Sequence, residues 1–174
     1  MRRLLPAPGL ARALAALGLV LRPEAKRDLP FLKTLYASTR ARELALMLNW
    51  NADQRAAFVA QQFEAQRTHY RSQFSKASFH VIEREGVPIG RLYLDRRETA
   101  IHIVDIALLP EVRRQGLGTA LLGEIIDVAG AAGLGVSLSV TTDNPARHLY
   151  DRSGFVEIGS DDVYVEMLRP RDVS

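Results

Sequence analysis

The run Leu109-Pro110-Glu111-Val112-Arg113-Arg114-Gln115-Gly116-Leu117-Gly118-Thr119 decides the fold. Before it, residues 100–109 form an apolar, alternating stretch that reads as a strand, and after it residues 117–132 carry a helical pattern. The run is therefore a strand-to-helix turn. The first N–H groups of a helix have no intrahelical acceptor, and the helix dipole adds positive character there. The amides of Arg114, Gln115, Gly116, Leu117, Gly118 and Thr119 can thus face an anion. Gly116 and Gly118 put no side chain in the way, and a pyrophosphate is the natural guest. No lysine follows, and only two glycines are spaced by one residue, so neither the mononucleotide loop nor the three-glycine dinucleotide fingerprint is present.

The chain of 174 residues, 47% apolar and 25% charged, suits one globular domain with a substantial core. The absence of cysteine excludes a disulfide framework and a thiol nucleophile, and four dispersed histidines give no metal site. The formal charge of +3 is modest, with Arg2, Arg3, Arg12, Arg22, Lys26 and Arg27 gathered near the start. No aromatic-interleaved basic stripe accompanies them, which argues against nucleic acid. Arg12 interrupts the apolar stretch 10–21, so no membrane span is expected. Residues 1–18 read as an extension, helical or frayed, and residues 19–174 as the domain.

Within that domain, residues 19–22 read as the first strand, and Asp28 with Pro30 as the start of a helix. Asn51 or Asp53 starts a longer helix reaching about Tyr70. Phe58, Gln62, Ala65 and His69 recur along it at a helical period, with Phe63, Arg67 and Tyr70 around the side, and Trp50 is expected to anchor the core. Strands follow at 78–83 and 88–95, then at 135–141 beyond the glycine turn's helix. Asp143 or Asn144 with Pro145 opens a helix through Arg152 that Gly154 closes, and strands at 155–158 and 163–168 end the domain.

Arg113, Gly116 and Gly118 resemble the Arg/Gln-x-x-Gly-x-Gly/Ala loop of the GNAT acetyltransferase superfamily. Residues 144–155, Asn-Pro-Ala-Arg-His-Leu-Tyr-Asp-Arg-Ser-Gly-Phe, are similar to that family's second block. The resemblance spans about residues 19–168 and implies a mixed α/β fold with a mostly antiparallel, splayed central sheet flanked by helices. It further implies acetyl-coenzyme A as acyl donor, held by Ala107, Leu108 and Leu109 along the pantetheine, by Arg113, Arg114, Gln115, Gly116, Leu117, Gly118 and Thr119 at the pyrophosphate, and by Asn144. Asn144 serves equally well as a helix cap. Tyr150 matches the family tyrosine beside the coenzyme sulfur; it is either the general acid or a packing residue.

Asp105 is the candidate base, because a carboxylate inside a strand is costly to bury without a partner or a purpose. It could instead form an ion pair with Arg91 or Arg96. Strict alternation puts Asp105 with Ile101, Ile103 and Ala107, on the face opposite His102. Arg40, Arg42 and Glu43 fall in the region that closes the acceptor side in relatives. The implied activity is transfer of an acetyl group to a primary amine of a small molecule or protein, in the cytoplasm. The alternative is a catalytically silent acyl-coenzyme A-binding module. Open terminal strands are edges that a homodimer would protect, with a monomer as the alternative.

Overall fold

The expected alternation produces β1 (Leu19–Pro23), β2 (Ser78–Arg84), β3 (Val87–Arg96), β4 (Ala100–Leu108), β5 (Gly135–Thr141), β6 (Val156–Ser160) and β7 (Tyr164–Arg169). The helices are α1 (Pro8–Ala16), α2 (Leu29–Thr39), α3 (Ala41–Ala45), α4 (Ala52–Gln73), α5 (Leu117–Ala131) and α6 (Arg147–Arg152). This computed structural model describes residues 8–171. The strands form one sheet in the order β1-β2-β3-β4-β5-β7-β6. Every neighbouring pair is antiparallel except β4 and β5, which the α5 crossover joins in parallel. This is the mixed, mostly antiparallel α/β architecture that the sequence pattern implies.

Helices cover both faces of the sheet. On one face Leu117, Leu121, Leu122, Ile125 and Ala129 of α5 pack with Leu10 and Leu14 of α1 and the sheet residues Ile82, Leu92, Leu94, Ile101, Val136 and Leu138. On the other, Leu32 and Tyr36 of α2, Val59 and Phe63 of α4 and Val81 of β2 form a second cluster. Glu85 and Gly86, both at positive φ, make the two-residue turn between β2 and β3. Gly133, at φ 67°, closes α5, and the Leu134 N–H returns to the Ala129 carbonyl at 2.9 Å. Among the described residues no helix is long and apolar enough to cross a membrane.

Several expectations need correction. The extension before residue 19 takes its helical alternative over α1, and Leu10 and Leu14 are fully buried in the main core. Residues 1–7, with Arg2 and Arg3, lie outside the described residues. Asp28 stands at the start of α2 but does not cap it; its carboxylate turns back to Arg22, at 2.7 and 2.8 Å, and to the Ala25 N–H. Trp50 is partly exposed and packs edge-on against Phe58 rather than anchoring the core. Helix α4 is capped by Asn51 as expected, yet it buries Val59 and Phe63, while Gln62, Ala65 and His69 face outward.

Candidate functional site

Strands β4 and β5 pair only between Ala100–Ile103 and Gly135–Leu138. Beyond that they part: β5 continues its ladder with β7, and β4 with β3. The far end of β4 therefore has one open edge, facing the gap. In an antiparallel ladder alternate residues turn their backbone groups toward the partner strand. The Leu109 N–H goes to the Ile89 carbonyl at 2.8 Å, and the Ala107 carbonyl lies against Gly90, where a β-carbon would overlap it. Ile106 and Leu108 must then turn theirs into the gap. Of the backbone positions nominated from sequence, Ala107 and Leu109 are committed to β3, and Leu108 is the one that faces the gap.

The open edge runs directly into the glycine turn. Arg114 adopts φ 60°, a left-handed conformation that costs a non-glycine residue about 1–2 kcal/mol. Gly116, at φ 75°, takes the N-cap position of α5 and offers no capping side chain. The first intrahelical bond comes from Ala120 to the Gly116 carbonyl, which leaves the N–H groups of Leu117, Gly118 and Thr119 unused by the helix. A Gly118 β-carbon would meet nothing nearer than Leu149 at 4.0 Å, so the approach is open and α6 stands beside the start of α5. The Gln115 side chain folds back onto the Glu111 carbonyl at 3.0 Å. The Arg113 side chain is engaged within the chain. Its Nε donates to the Leu108 carbonyl at 2.7 Å and its Nη2 to Ser38 Oγ at 3.1 Å, so it braces the end of β4 against α2.

A register shift in β4 overturns the strict alternation. Tyr93 pairs with Asp105 and Leu94 with Ile103, so Val104 is a bulged extra residue. Ile101, Ile103, Ile106 and Leu108 all pack on the α5 side. His102 stacks on Phe74 and Asp105 accepts from Tyr70, both contacts lying on the α4 side. Asp105 and His102 thus share a face after all. Asp105 also takes Arg91 Nη2 at 2.8 Å and Nε at 3.2 Å, the ion pair with Arg91 that sequence offered as one reading. Gln66 Oε1 in turn accepts from Arg91 at 2.8 Å. Burial pushes the Arg91 guanidinium's proton affinity down, but Asp105 together with Tyr93 and Tyr70 more than offsets this and holds it above the ordinary value. Burial, then Asp105, push the Tyr70 phenol up.

Tyr150 comes from α6 on the opposite wall. It is buried, packs its ring against Phe155, and makes no hydrogen bond through its hydroxyl among the described residues. Burial, reinforced by the charge of Asp105, pushes its pKa up to about 12. Asn144 Oδ1 accepts from the Ala146 N–H at 2.9 Å in the turn before α6, which starts at Arg147 rather than at Asn144–Pro145; Ala146 is its N-cap, with no capping side chain. Arg40 donates to the Tyr36 hydroxyl at 3.2 Å and sits 3.6 Å from Glu43, two residues past the α2 end that Arg113 holds. Sequence reading singled out neither Gln66 as a partner of Arg91 nor Tyr70 as a partner of Asp105. Their spacing of four residues on α4 was the available signal.

A gap between β4 and β5 leading into an uncapped, glycine-bearing helix start invites comparison with known proteins. The model for the acetyltransferase (GNAT) family matches residues 34–155, which include both the turn and the Tyr150 segment. The chain belongs to the GNAT acetyltransferase family. Solved structures agree with this family's fold. A paia N-acetyltransferase from Thermoplasma acidophilum, in complex with coenzyme A, is 18% identical with a TM-score of 0.64, over 87% of this chain and 98% of that one. Ard1 from Thermoplasma volcanium is 19% identical with a TM-score of 0.57, over 90% and 99%. A structure described as histone acetyltransferase HPA2 and related acetyltransferase, from Corynebacterium glutamicum, is 24% identical with a TM-score of 0.59, over 90% and 98%. At these identities the likeness is one of GNAT fold. No curated protein sequence matches the chain.

Proposed function

We propose that this GNAT protein is an acetyl-coenzyme A-dependent N-acetyltransferase acting on a primary amine of a small molecule or protein through a ternary complex. The observation that carries the reading is the continuity of the open β4 edge with the amide-lined start of α5. The Leu108 N–H and the backbone groups of Ile106 suit a thin amide-bearing arm laid along the gap like an added strand. The amides from Arg114 to Thr119 suit its pyrophosphate.

Acetyl transfer needs no protein nucleophile. The amine nitrogen attacks the thioester carbonyl, the C–N bond forms, the C–S bond breaks, the nitrogen loses a proton and sulfur gains one. Residues of this chain would orient the partners and handle those protons. A gap-facing amide, Leu108 N–H foremost, would stabilise the oxyanion. Tyr150, protonated at neutral pH, would donate to sulfur, and Asp105 would accept a hydrogen bond from the attacking nitrogen.

Calorimetric titration with acetyl-coenzyme A tests the assignment, alongside the same titration of Gly118→Glu. Space at Gly118 allows the side chain without refolding, while its carboxylate would occupy and repel the pyrophosphate seat. One-site saturation by the wild type and severe loss in the folded variant are expected. Absence of binding by folded wild type would overturn the reading.

A further inference from the structure

Asp105 is the carboxylate that β4 brings to the acceptor side of the gap, and its oxygens are already engaged. Oδ2 takes both Arg91 Nη2 and Tyr70 Oη at 2.8 Å, and Oδ1 takes Arg91 Nε at 3.2 Å. Arg91 is only 3% exposed, so the compensating charge is buried with it. Such a pair is neutral as a unit, and three of the carboxylate's roughly four acceptor sites are already filled.

Among the described residues, the other carboxylates on this side are paired or stand a strand away. From β3, Tyr93 lays its ring against Arg91, and Tyr150 of α6 lies within electrostatic reach of Asp105. Tyr164 of β7 lies within electrostatic reach of both Tyr70 and Arg40. Arg40 contributes a cation to this rim. Glu24, buried on the same side, is bound by Arg71 at 2.8 Å, by Arg67 at 3.8 Å and by Tyr93. Glu166 is exposed on β7 opposite Ser139, one strand beyond the gap. An alkylammonium arriving here would meet a carboxylate whose charge Arg91 has cancelled; of the imidazoles on this side, His102 is stacked on Phe74, bonded to Ser137 and pushed down by burial, and His69 lies exposed beyond the Tyr70 ring.

We infer that the acceptor is a weakly basic amine of the α-amino type, which enters the site already neutral, rather than a lysine-like ε-amine or a polyamine. This rests on the acetyl-transfer reading above. With conjugate-acid values near 7.8 for α-amines and 10.4 for ε-amines, the neutral fraction at pH 7.5 differs by about 300-fold, shrinking to about tenfold at pH 9.5.

The test compares thiol release from acetyl-coenzyme A with two peptide pools: tripeptides with free amino termini, and amino-terminally acetylated tripeptides whose amine is a lysine side chain. At pH 7.5, kcat/KM is expected to favour the free amino termini by about 100-fold or more, and the preference should fall to about tenfold at pH 9.5. Tyr70→Phe removes one of the hydrogen bonds to Asp105 while keeping the ring. It should raise the relative rate of the lysine pool at pH 7.5, a change that simple loosening of the fold would not produce. Equal rates at pH 7.5, or a preference that does not change with pH, would overturn the inference while leaving acetyl transfer intact. Thiol release from neither pool at either pH, by protein that binds acetyl-coenzyme A, would instead count against amine transfer itself and take the inference with it.

Discussion

Replacement of Tyr150 by Phe isolates the donor proposed for the leaving sulfur. The ring would keep its place against Phe155, and the lost hydroxyl has no hydrogen-bond partner among the described residues, so no buried group is orphaned. Stability should therefore change by less than about 1 kcal/mol. A positioned acid contributes about 10²–10⁴-fold, which at about 1.36 kcal/mol per factor of ten is about 2.7–5.4 kcal/mol of barrier. Burial pushes the Tyr150 pKa up to about 12, well above an ordinary thiol near 8.5, so complete proton transfer to sulfur runs uphill. That mismatch places the expected loss at the lower end, about 100-fold in kcat. The assay is thiol release at saturating acetyl-coenzyme A with an amine acceptor, together with the affinity of each protein for acetyl-coenzyme A, which should be unchanged. A variant kcat within about tenfold of wild type would refute the role, since that lies below the range of a positioned acid. The same raised pKa predicts that loss of the Tyr150 proton does not limit wild-type activity at or below pH 10.

Leu14→Ala should cost about 2–5 kcal/mol in urea unfolding, because the side chain is fully buried between α1 and the main core; a cost well under 1 would make α1 peripheral. Asp105→Ala strands the Arg91 guanidinium and should destabilise by about 3–5 kcal/mol, with Arg91→Met in the same chain recovering much of the loss. His102, stacked on Phe74 and bonded to Ser137 at 2.9 Å, is pushed down to about 4 by burial, with Arg97 adding to the shift. Its folded value lies below its unfolded value near 6.5, so its contribution is complete above pH 6.5 and is lost as pH falls toward 4. That loss amounts to about 3 kcal/mol, and His102→Gln should flatten the stability profile in this window.

The parts legible in the sequence are those that depend on short-range pattern. The strand positions, the α4 cap, narrowed to Asn51 or Asp53, and the glycine turn each carry their cause within a few residues, and each has its counterpart in the structure. The face of Asp105 was not legible, because the Val104 bulge inverts the alternation and is visible only in the pairing of β4 with β3. Helix α4 misled for a different reason. Glutamine and arginine surround it, so its apolar period is weak, and Gln66 and Tyr70 are directed inward by bonds to Arg91 and Asp105 rather than by hydrophobicity. Arg113 follows the motif in sequence, yet the Leu108 carbonyl lies five residues away and takes its guanidinium first.

These misreadings converge on one strand because β4 serves several neighbours at once. Asp105 and Ala107 pair with β3. Ile106 and Leu108 send side chains into the α5 core and backbone groups into the gap. A regular strand could not do this and also present Asp105 to α4, since Asp105 would then follow Ile103 into the apolar face. The bulge separates the two demands. Residues 100–103 keep the regular alternation that anchors β5, and residues 105–108 take the opposite phase, which moves the carboxylate to the α4 side. Arg113 then closes a single exposed carbonyl at the strand's end and leaves the Leu108 N–H open. The gap and the placement of Asp105 beside it are thus set by an irregularity in backbone pairing, fixed from either side by Arg91 with Tyr70 and by Arg113.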